Sequence, residues 1–340
     1  MNDYRTEAPQ ILRDFLSYHE TVKAHSKRTV DEYFLDLRNF FRYMKQTRDP
    51  ALASKALDEI DICDVDLEFV ASVTLTDIYG YMTYLSRDRV QHQNSRNSDY
   101  GLNAASRARK IATIRSFYNY LTNKMHLLRE NPVKDIDSPK LQKSLPKYLT
   151  LDESLTLLDA VDGKNQERDY CILTLFLNCG LRISELVGLN LNDIQEDALR
   201  ILGKGNKIRI IYLNEACQDA LKRYLEVRRP IQGRDANALF LSSRNERISR
   251  SMVHAMVKKR LSEAGLDSTQ YSSHKLRHTA ATLMLQNGVD VRAVQEVLGH
   301  DHLNTTEIYT HIDNEALRVA AKANPLSSVK KPKKTDAKQG

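Results

Sequence analysis

The segment LGHDHLNTTEIYTH, residues 298–311, places Tyr309 nine residues after His300. The chain contains 16 tyrosines, and most of them must be packing residues. Only its position after the Leu-Gly-His triplet distinguishes Tyr309 from the others. We therefore interpret this segment together with three motifs that precede it.

The first upstream motif is GLRISE, residues 180–185, in which a glycine ends an apolar helix and Arg182 and Glu185 follow at i, i+3 spacing. By itself this motif is typical of a surface ion pair beside a helix terminus. The second is GKGNK, residues 203–207, which joins two β-rich runs and predicts that Lys204 projects from a hairpin turn. By itself Lys204 could be a solvated turn residue. A P-loop is excluded, because that motif leads into a helix and this one leads into a strand.

The third motif is HKLRH, residues 274–278. On a helix it places His274, Arg277 and His278 along one face and turns Leu276 toward the core. Two histidines at i, i+4 spacing could indicate zinc. A zinc-protease helix requires Glu directly after the first His and a third ligand, and Lys275 stands there instead. We therefore predict no metal site.

Together, the four motifs resemble the tyrosine recombinase family, and specifically its Xer branch. The family pattern has an Arg in a GLRxSEL segment, a Lys in a β-hairpin, an HxLRH segment, an LGH segment and a nucleophilic Tyr beyond that last His. The resemblance extends to the helix at residues 106–121 and to Glu130-Asn131-Pro132. The positions that match the catalytic pattern are, in order, Arg182, Lys204, His274, Arg277, His300 and Tyr309.

The resemblance implies a site-specific recombinase that cuts and rejoins DNA through a 3′-phosphotyrosine intermediate. Tyr309 would attack the phosphorus, and the stored bond energy would let the strand be rejoined without ATP, a metal ion or another cofactor. Planar guanidinium groups grip two phosphate oxygens at once, so Arg182 and Arg277 would hold the charged transition state.

Proton transfer needs further residues, because a tyrosine with an ordinary pKa near ~10 does not lose its proton readily. His274 is the candidate base, and His300 would contribute a hydrogen bond to the phosphate. The resemblance implies that Lys204 is the general acid that protonates the leaving 5′-oxygen. Glu185 and His278 would orient the arginines and the nucleophile.

The pattern of apolar residues predicts the secondary structure. Helical spacing from Ile11 to Leu127 predicts a bundle, in which the polar residues 87–103 form an exposed, mobile loop. Residues 150–153 form a capping box that begins a helix, and residues 168–177 predict a buried central helix. The runs 199–202 and 208–213 predict a β-hairpin.

With the resemblance, these elements predict a mainly α protein with a small β-sheet. The N-terminal part is a helical core-binding, SAM-like bundle, and the C-terminal part is an α+β catalytic domain of the tyrosine recombinase type. The predicted boundaries are 1–128 for the bundle, 129–147 for a linker, 148–325 for the catalytic domain and 326–340 for a basic disordered tail.

The charge of the chain favours a polyanionic partner, since Lys and Arg outnumber Asp and Glu by 51 to 44 and the pI is near 9.0. The resemblance implies that the two domains form a C-shaped clamp on a double-stranded DNA recombination site, within a homo- or heterotetramer with a related recombinase. The resemblance implies that the helix predicted at 315–321 docks into a neighbouring subunit, and the alternative is a helix that packs on its own domain. Predicted DNA contacts are Arg107, Arg109, Lys110, Arg115, Lys140 and Lys143.

The start of the chain lacks a secretion signal and no apolar stretch is long enough to span a bilayer, so we predict a cytoplasmic protein with no membrane partner. The four cysteines show no metal-ligand spacing. They are predicted to be reduced thiols, two of them in the buried helix.

Three alternatives from other classes remain. A type IB topoisomerase uses the same chemistry but acts alone to relax supercoils, and the Xer-like bundle and terminal helix argue against it. A catalytically silent DNA-binding regulator has no reason to keep all the active-site positions, and a helical interaction protein explains none of the motifs. Within the family, the predicted role is resolution of chromosome dimers at cell division, and the alternative is the integrase of a mobile element.

Overall fold

The computed structural model describes residues 4–89, 100–137, 147–203, 208–233, 235–299, 319 and 322–330. The chain divides into two compact units, Met1–Ser144 and Leu145–Gly340. Both units are built mostly from helices, and one two-stranded sheet lies in the second unit. The predicted fold class, mainly α with a small β-sheet, is confirmed.

The first unit is a helical bundle. Its α-helices are α1 (Tyr4–Glu7), α2 (Gln10–Ser17), α3 (Lys27–Arg48), α4 (Leu67–Ala71), α5 (Leu75–Arg87) and α6 (Ala104–Asn119). Single π-helical turns continue α2 at Tyr18–Val22 and α6 at Tyr120–Lys124, and 3-10 turns lie at Pro50–Leu52 and Leu57–Glu59. Most of the loop predicted at 87–103 lies outside the described residues.

Aromatic side chains from three helices meet in the core of this bundle. The ring of Phe117 on α6 packs edge-on against Phe15 of α2, with centroids 5.3 Å apart, and against Phe41 of α3, with centroids 5.7 Å apart. All three side chains are fully buried. Burial of one such side chain contributes roughly 1.5–3 kcal/mol, so these contacts join α2, α3 and α6. The helical bundle predicted from apolar spacing is confirmed.

A buried ion-pair cluster also links α3 to α6. The carboxylate of Asp36 accepts hydrogen bonds from Nζ of Lys110 at 2.6 Å and from the terminal nitrogens of Arg109 at 2.6 and 3.0 Å. Lys110 is 6% exposed and Asp36 is 1% exposed. The charge of Lys110 therefore neutralises a carboxylate inside the bundle, which argues against the predicted contact of Lys110 with DNA. Arg109 differs, since 47% of its side chain remains exposed.

The segment predicted as a linker at 129–147 begins as part of the bundle. Val133 is fully buried and Ile136 is 5% exposed, and both pack in the first hydrophobic core. Arg115 on α6 donates from Nη2 to the carbonyl oxygen of Ile136 at 2.7 Å. The predicted linker boundary at 129 is therefore too early, and residues 138–146 lie outside the described residues.

The second unit contains seven further helices among its described residues. They are α7 (Leu151–Asp159), α8 (Gln166–Cys179), α9 (Ile183–Gly188), α10 (Glu215–Val227), α11 (Arg250–Glu263), α12 (Ser273–Gln286) and α13 (Val291–Leu298). A 3-10 turn lies at Leu191–Asp193. The predicted capping box is confirmed, because Thr150 and Glu153 each accept a hydrogen bond from the other's backbone N–H at the start of α7.

Helix α8 is the centre of the second core. Every residue from Asp169 to Cys179 is buried, as predicted for a central helix. The four cysteines are free thiols, and Cys171 and Cys179 lie buried in α8. Strands β1 (Ala198–Leu202) and β2 (Ile208–Tyr212) pair antiparallel, which confirms the predicted hairpin. No helix in the described part of the chain is long and apolar enough to span a membrane.

The first residues of the predicted disordered tail are packed. Leu326 is fully buried in the second core, and Asn324 donates from Nδ2 to the carbonyl oxygen of Leu177 at 3.0 Å. The carbonyl oxygen of Ser327 accepts a hydrogen bond from the backbone N–H of Ala216 at 2.8 Å. The tail boundary predicted at 326 is therefore wrong, because these contacts bind residues 324–327 to α8 and α10. Residues 331–340 lie outside the described residues.

Candidate active site

Arg182 is placed by the sharp end of α8. Gly180 closes that helix with φ +57°, a conformation that favours glycine, and a Cβ at this position would lie 2.4 Å from Cδ2 of Leu298. Two residues later, the backbone N–H of Arg182 donates to Oε2 of Glu185 at 2.8 Å, and its Nη1 donates to Oε1 at 2.9 Å. The Arg-Glu pair of the GLRISE motif is therefore joined by two hydrogen bonds at the start of α9.

Arg277 reaches the same place from α12. Its Nη1 donates to the carbonyl oxygen of Gly180 at 2.5 Å, and its Nη2 donates to the carbonyl oxygen of Leu298 at 2.6 Å. Burial, followed by repulsion from Arg182 and Arg209, lowers the pKa of Arg277 to about 10. The guanidinium therefore stays protonated at neutral pH.

Helix α13 completes the arrangement. It ends in the left-handed conformation at Gly299, with φ +63°, immediately before His300. The carbonyl oxygen of Gly299 accepts a hydrogen bond from Nη2 of Arg182 at 2.7 Å. Arg182 and Arg277 thus satisfy carbonyl groups at the ends of α8 and α13, where helices leave carbonyls without partners and favour positive charge. Three motifs that are far apart in sequence meet at one point.

Helix α12 carries the other predicted residues of its motif. Leu276 is fully buried, as predicted, whereas His274 and His278 are exposed on either side of buried Arg277. Burial, followed by repulsion from Lys275 and Arg277, lowers the pKa of His278. Among the residues that the structure describes, no three His, Cys, Asp or Glu side chains are grouped to hold a metal ion.

Arg209 is a site residue that the sequence interpretation missed. It lies on β2 opposite Ile201, on the face of the hairpin that carries buried Ile211. Its Nη1 and Nη2 donate to the two carboxylate oxygens of Glu185 at 2.8 and 2.9 Å. Burial would raise the pKa of Glu185, but hydrogen bonds from Arg209 and Arg182 hold it below its usual value. The available signal was an arginine at an inward-facing position of an otherwise apolar strand.

The remaining predicted site residues fall outside the described part of the chain. They are Lys204, His300, Tyr309, Lys140 and Lys143, together with the helix predicted at 315–321 apart from Val319. Arg107, Arg109 and Arg115 lie on α6 in the first unit, and the site around Arg182 lies in the second unit.

Comparison with known proteins agrees with these motifs. Residues 147–316 match the model of the phage integrase family. The chain is 50% identical over 321 residues to tyrosine recombinase XerC of Caldanaerobacter subterraneus, covering 94% of this chain and 88% of that protein. It is 33% identical over 326 residues to tyrosine recombinase XerC of Thermodesulfovibrio yellowstonii, covering 93% and 96% of the two chains.

Solved structures share the fold at lower identity. A λ integrase dimer bound to a COC′ core site aligns with a TM-score of 0.60 and 17% identity, covering 89% of this chain and 99% of that one. The XerH recombinase bound to a palindromic difH substrate aligns with a TM-score of 0.59 and 21% identity, covering 92% and 84%. The chain therefore belongs to the phage integrase family, as a site-specific tyrosine recombinase of the Xer type.

Proposed function

We propose that this recombinase exchanges DNA strands through a covalent bond between Tyr309 and a DNA 3′-phosphate, with Arg182 and Arg277 as the phosphate clamp. The observation that carries the proposal is the convergence of both guanidinium groups on the carbonyls of Leu298 and Gly299. These carbonyls directly precede His300, so two arginines are fixed beside the segment that leads to the nucleophile.

The two arginines keep donors for a ligand. A guanidinium carries five N–H groups, and the hydrogen bonds described above use two from the side chain of each arginine. A phosphodiester gains negative charge on its non-bridging oxygens in the transition state. Preorganised donors aimed at such charge provide the largest single contribution in many enzymes. We assign the remaining N–H donors of Arg182 and Arg277 to those oxygens.

The proposed reaction is a transesterification in which one residue accepts the proton of the nucleophile and another protonates the leaving group. The oxygen of Tyr309 forms a bond to phosphorus as His274 takes its proton, and the bond to the 5′-oxygen breaks as Lys204 protonates that oxygen. His300 donates a hydrogen bond to the phosphate, and Glu185 and His278 orient the reacting groups. Rejoining reverses these steps with a 5′-hydroxyl from the partner strand.

We further propose that the protein resolves chromosome dimers in the cytoplasm, as a homo- or heterotetramer on double-stranded DNA. Support comes from the near full-length likeness to recombinases named XerC in two bacteria. The structural neighbours include complexes with DNA and a λ integrase tetramer on a Holliday junction. Integration of a mobile element is the second candidate role.

We expect a covalent adduct to form without metal or ATP. Nicked duplexes carrying candidate sites from the chromosome, and from phages and plasmids of the same host, would be incubated with the protein and separated on a denaturing gel. A nick beside the cleavage point lets the cut fragment diffuse away, so the adduct accumulates. Trypsin would release residues 293–318, a peptide with Tyr309 as its one tyrosine, and mass spectrometry should find the nucleotide there.

The origin of the duplex that forms the adduct distinguishes the two candidate roles. A chromosomal duplex would favour resolution of chromosome dimers, and a phage or plasmid attachment site would favour integration of a mobile element. Tight binding to a site without any adduct would contradict the proposed chemistry and favour a silent regulator.

We propose Arg107, Arg109 and Arg115 on α6, with Lys140 and Lys143, as DNA contacts, and we expect Arg107→Ala to weaken DNA binding. A phosphate contact contributes about one unit to the slope of log affinity against log salt, so the slope should fall by about 1. Lys110→Met is the matched variant on the same helix, and its slope should stay that of wild type because Lys110 is paired with Asp36. Fluorescence anisotropy across a salt series would measure both. An equal fall in both slopes would show that Lys110 reaches DNA.

A further inference from the structure

We infer that Arg209 is a positioning residue that keeps the charge of Arg182 available to the DNA phosphate, by sharing the carboxylate of Glu185. This inference rests on the proposed function of Arg182 in the phosphate clamp. Neither the motif pattern nor the resemblance includes Arg209.

The hydrogen bonds of Glu185 show how Arg209 and Arg182 share its carboxylate. Arg209 binds Glu185 side-on, with one terminal nitrogen on each carboxylate oxygen at 2.8 and 2.9 Å. Arg182 reaches the same carboxylate with one side-chain nitrogen, Nη1, at 2.9 Å, and turns its Nη2 to the carbonyl of Gly299. The bidentate partner of Glu185 is therefore Arg209, and Arg182 has the weaker share.

The charge balance follows from these contacts. Glu185 is 3% exposed at its side chain, Arg209 is 18% exposed and Arg182 is 33% exposed. One carboxylate between two guanidinium groups leaves a net charge of about +1, and in a partly buried site that charge is screened less than in water. Without Arg209, Glu185 would pair with Arg182 alone and neutralise it. The group that gains the excess positive charge is the more exposed one, Arg182.

Arg209 also fixes the position of the carboxylate relative to α13. A Cβ on Gly299 would lie 2.9 Å from Cζ of Arg209, so the guanidinium packs directly against the backbone that precedes His300. The Nε–H of Arg209 is buried and has no hydrogen-bond partner among the described residues. Within the described structure, the hydrogen bonds of the Arg209 side chain thus all go to Glu185. This is the pattern expected of a residue whose role is to position that carboxylate.

The test compares cleavage of a normal nicked duplex with cleavage of one that has a methylphosphonate at the cut phosphate. The methyl group removes the negative charge that the arginines offset, so any loss that arises from weakened positive charge must shrink on this substrate. We expect Arg209→Met to slow single-turnover cleavage of the normal duplex by about 10- to 100-fold, the same range as for residues that orient the ligands of a catalytic metal. On the methylphosphonate the loss should be a few-fold at most. Equal losses on both substrates would overturn the inference.

A second variant tests whether the effect passes through Glu185. If Arg209 offsets the carboxylate, Arg209→Met combined with Glu185→Gln should cleave faster than Arg209→Met alone, because the neutral amide no longer cancels the charge of Arg182. A slower double variant would contradict this. Melting temperature and DNA affinity are measured in parallel. Should Arg209→Met melt early, Arg209→Lys takes its place, with a smaller loss and the same substrate dependence expected.

Failure of the inference is distinguishable from failure of the proposed function. Wild type that forms no tyrosine adduct would contradict the proposed function. Wild type that forms the adduct at Tyr309, with Arg209→Met cleaving at the wild-type rate, would contradict the role of Arg209 alone.

Discussion

Tyr309→Phe is expected to abolish the covalent protein–DNA adduct while leaving DNA affinity unchanged. The substitution removes one oxygen, the atom that would bond to phosphorus, and keeps the aromatic ring. Loss of the nucleophile in a covalent catalyst typically lowers the rate by ~10⁴-fold or more, which places the adduct below detection on a denaturing gel. Strand exchange should disappear with it, because no stored bond energy remains to drive rejoining.

The matched control is Tyr271→Phe, a half-buried tyrosine of the second unit outside the four motifs. It should form the adduct at the rate of wild type. Persistence of the adduct in Tyr309→Phe would mean that another side chain is the nucleophile, and the tryptic peptide that carries the nucleotide would identify it.

Arg277→Met is expected to lower the single-turnover cleavage rate by about 10²–10³-fold, or roughly 3–4 kcal/mol in the barrier. The substitution removes the proposed donor to the phosphate and also the bridge between the carbonyls of Gly180 and Leu298. Arg277→Lys should be impaired as well, since one ammonium group cannot bind both carbonyls and still present a planar pair of donors to phosphate. Single-turnover cleavage of a nicked duplex at saturating protein measures the effect.

Arg228→Met is the control that separates an effect on the cleavage step from an effect on folding stability. Arg228 also bridges backbone carbonyls, those of Leu239 and Ala238 at 3.0 and 2.6 Å, but it lies at the end of α10. We expect this variant to lower the melting temperature without changing the cleavage rate once folded. A comparable rate loss in both variants would indicate that Arg277 contributes only to folding.

Much of the fold was predictable because the signals are local. Apolar spacing within a helix, the reciprocal capping of Thr150 and Glu153 and the hairpin around residue 205 each depend on residues a few positions apart. The meeting of Arg182 and Arg277 was predictable only through the family resemblance, since they are 95 positions apart in sequence.

The two residues whose role the sequence did not reveal share one physical cause, which is a partner distant in the chain. Lys110 looks like a surface lysine on a basic helix until Asp36, on another helix, is placed beside it. Arg209 looks like a strand residue until Glu185 is seen to accept both of its terminal nitrogens. The lysine-rich composition of the C-terminal residues led to the incorrect prediction that the disordered tail begins at Leu326. This apolar side chain instead packs in the second core.

The chain after Gly299 returns to the second core at Asn324 and Leu326, so the chain between them is anchored in that unit at both ends. Tyr309 stands ten residues from Gly299 and can lie at most about 35 Å from it, however the intervening chain runs. A DNA end joined to Tyr309, as proposed above, would therefore stay connected to the second unit through Gly299 on one side and Asn324 on the other. A single proteolytic cut in the protein chain on either side of Tyr309 would then leave the cleaved DNA strand attached to the second unit.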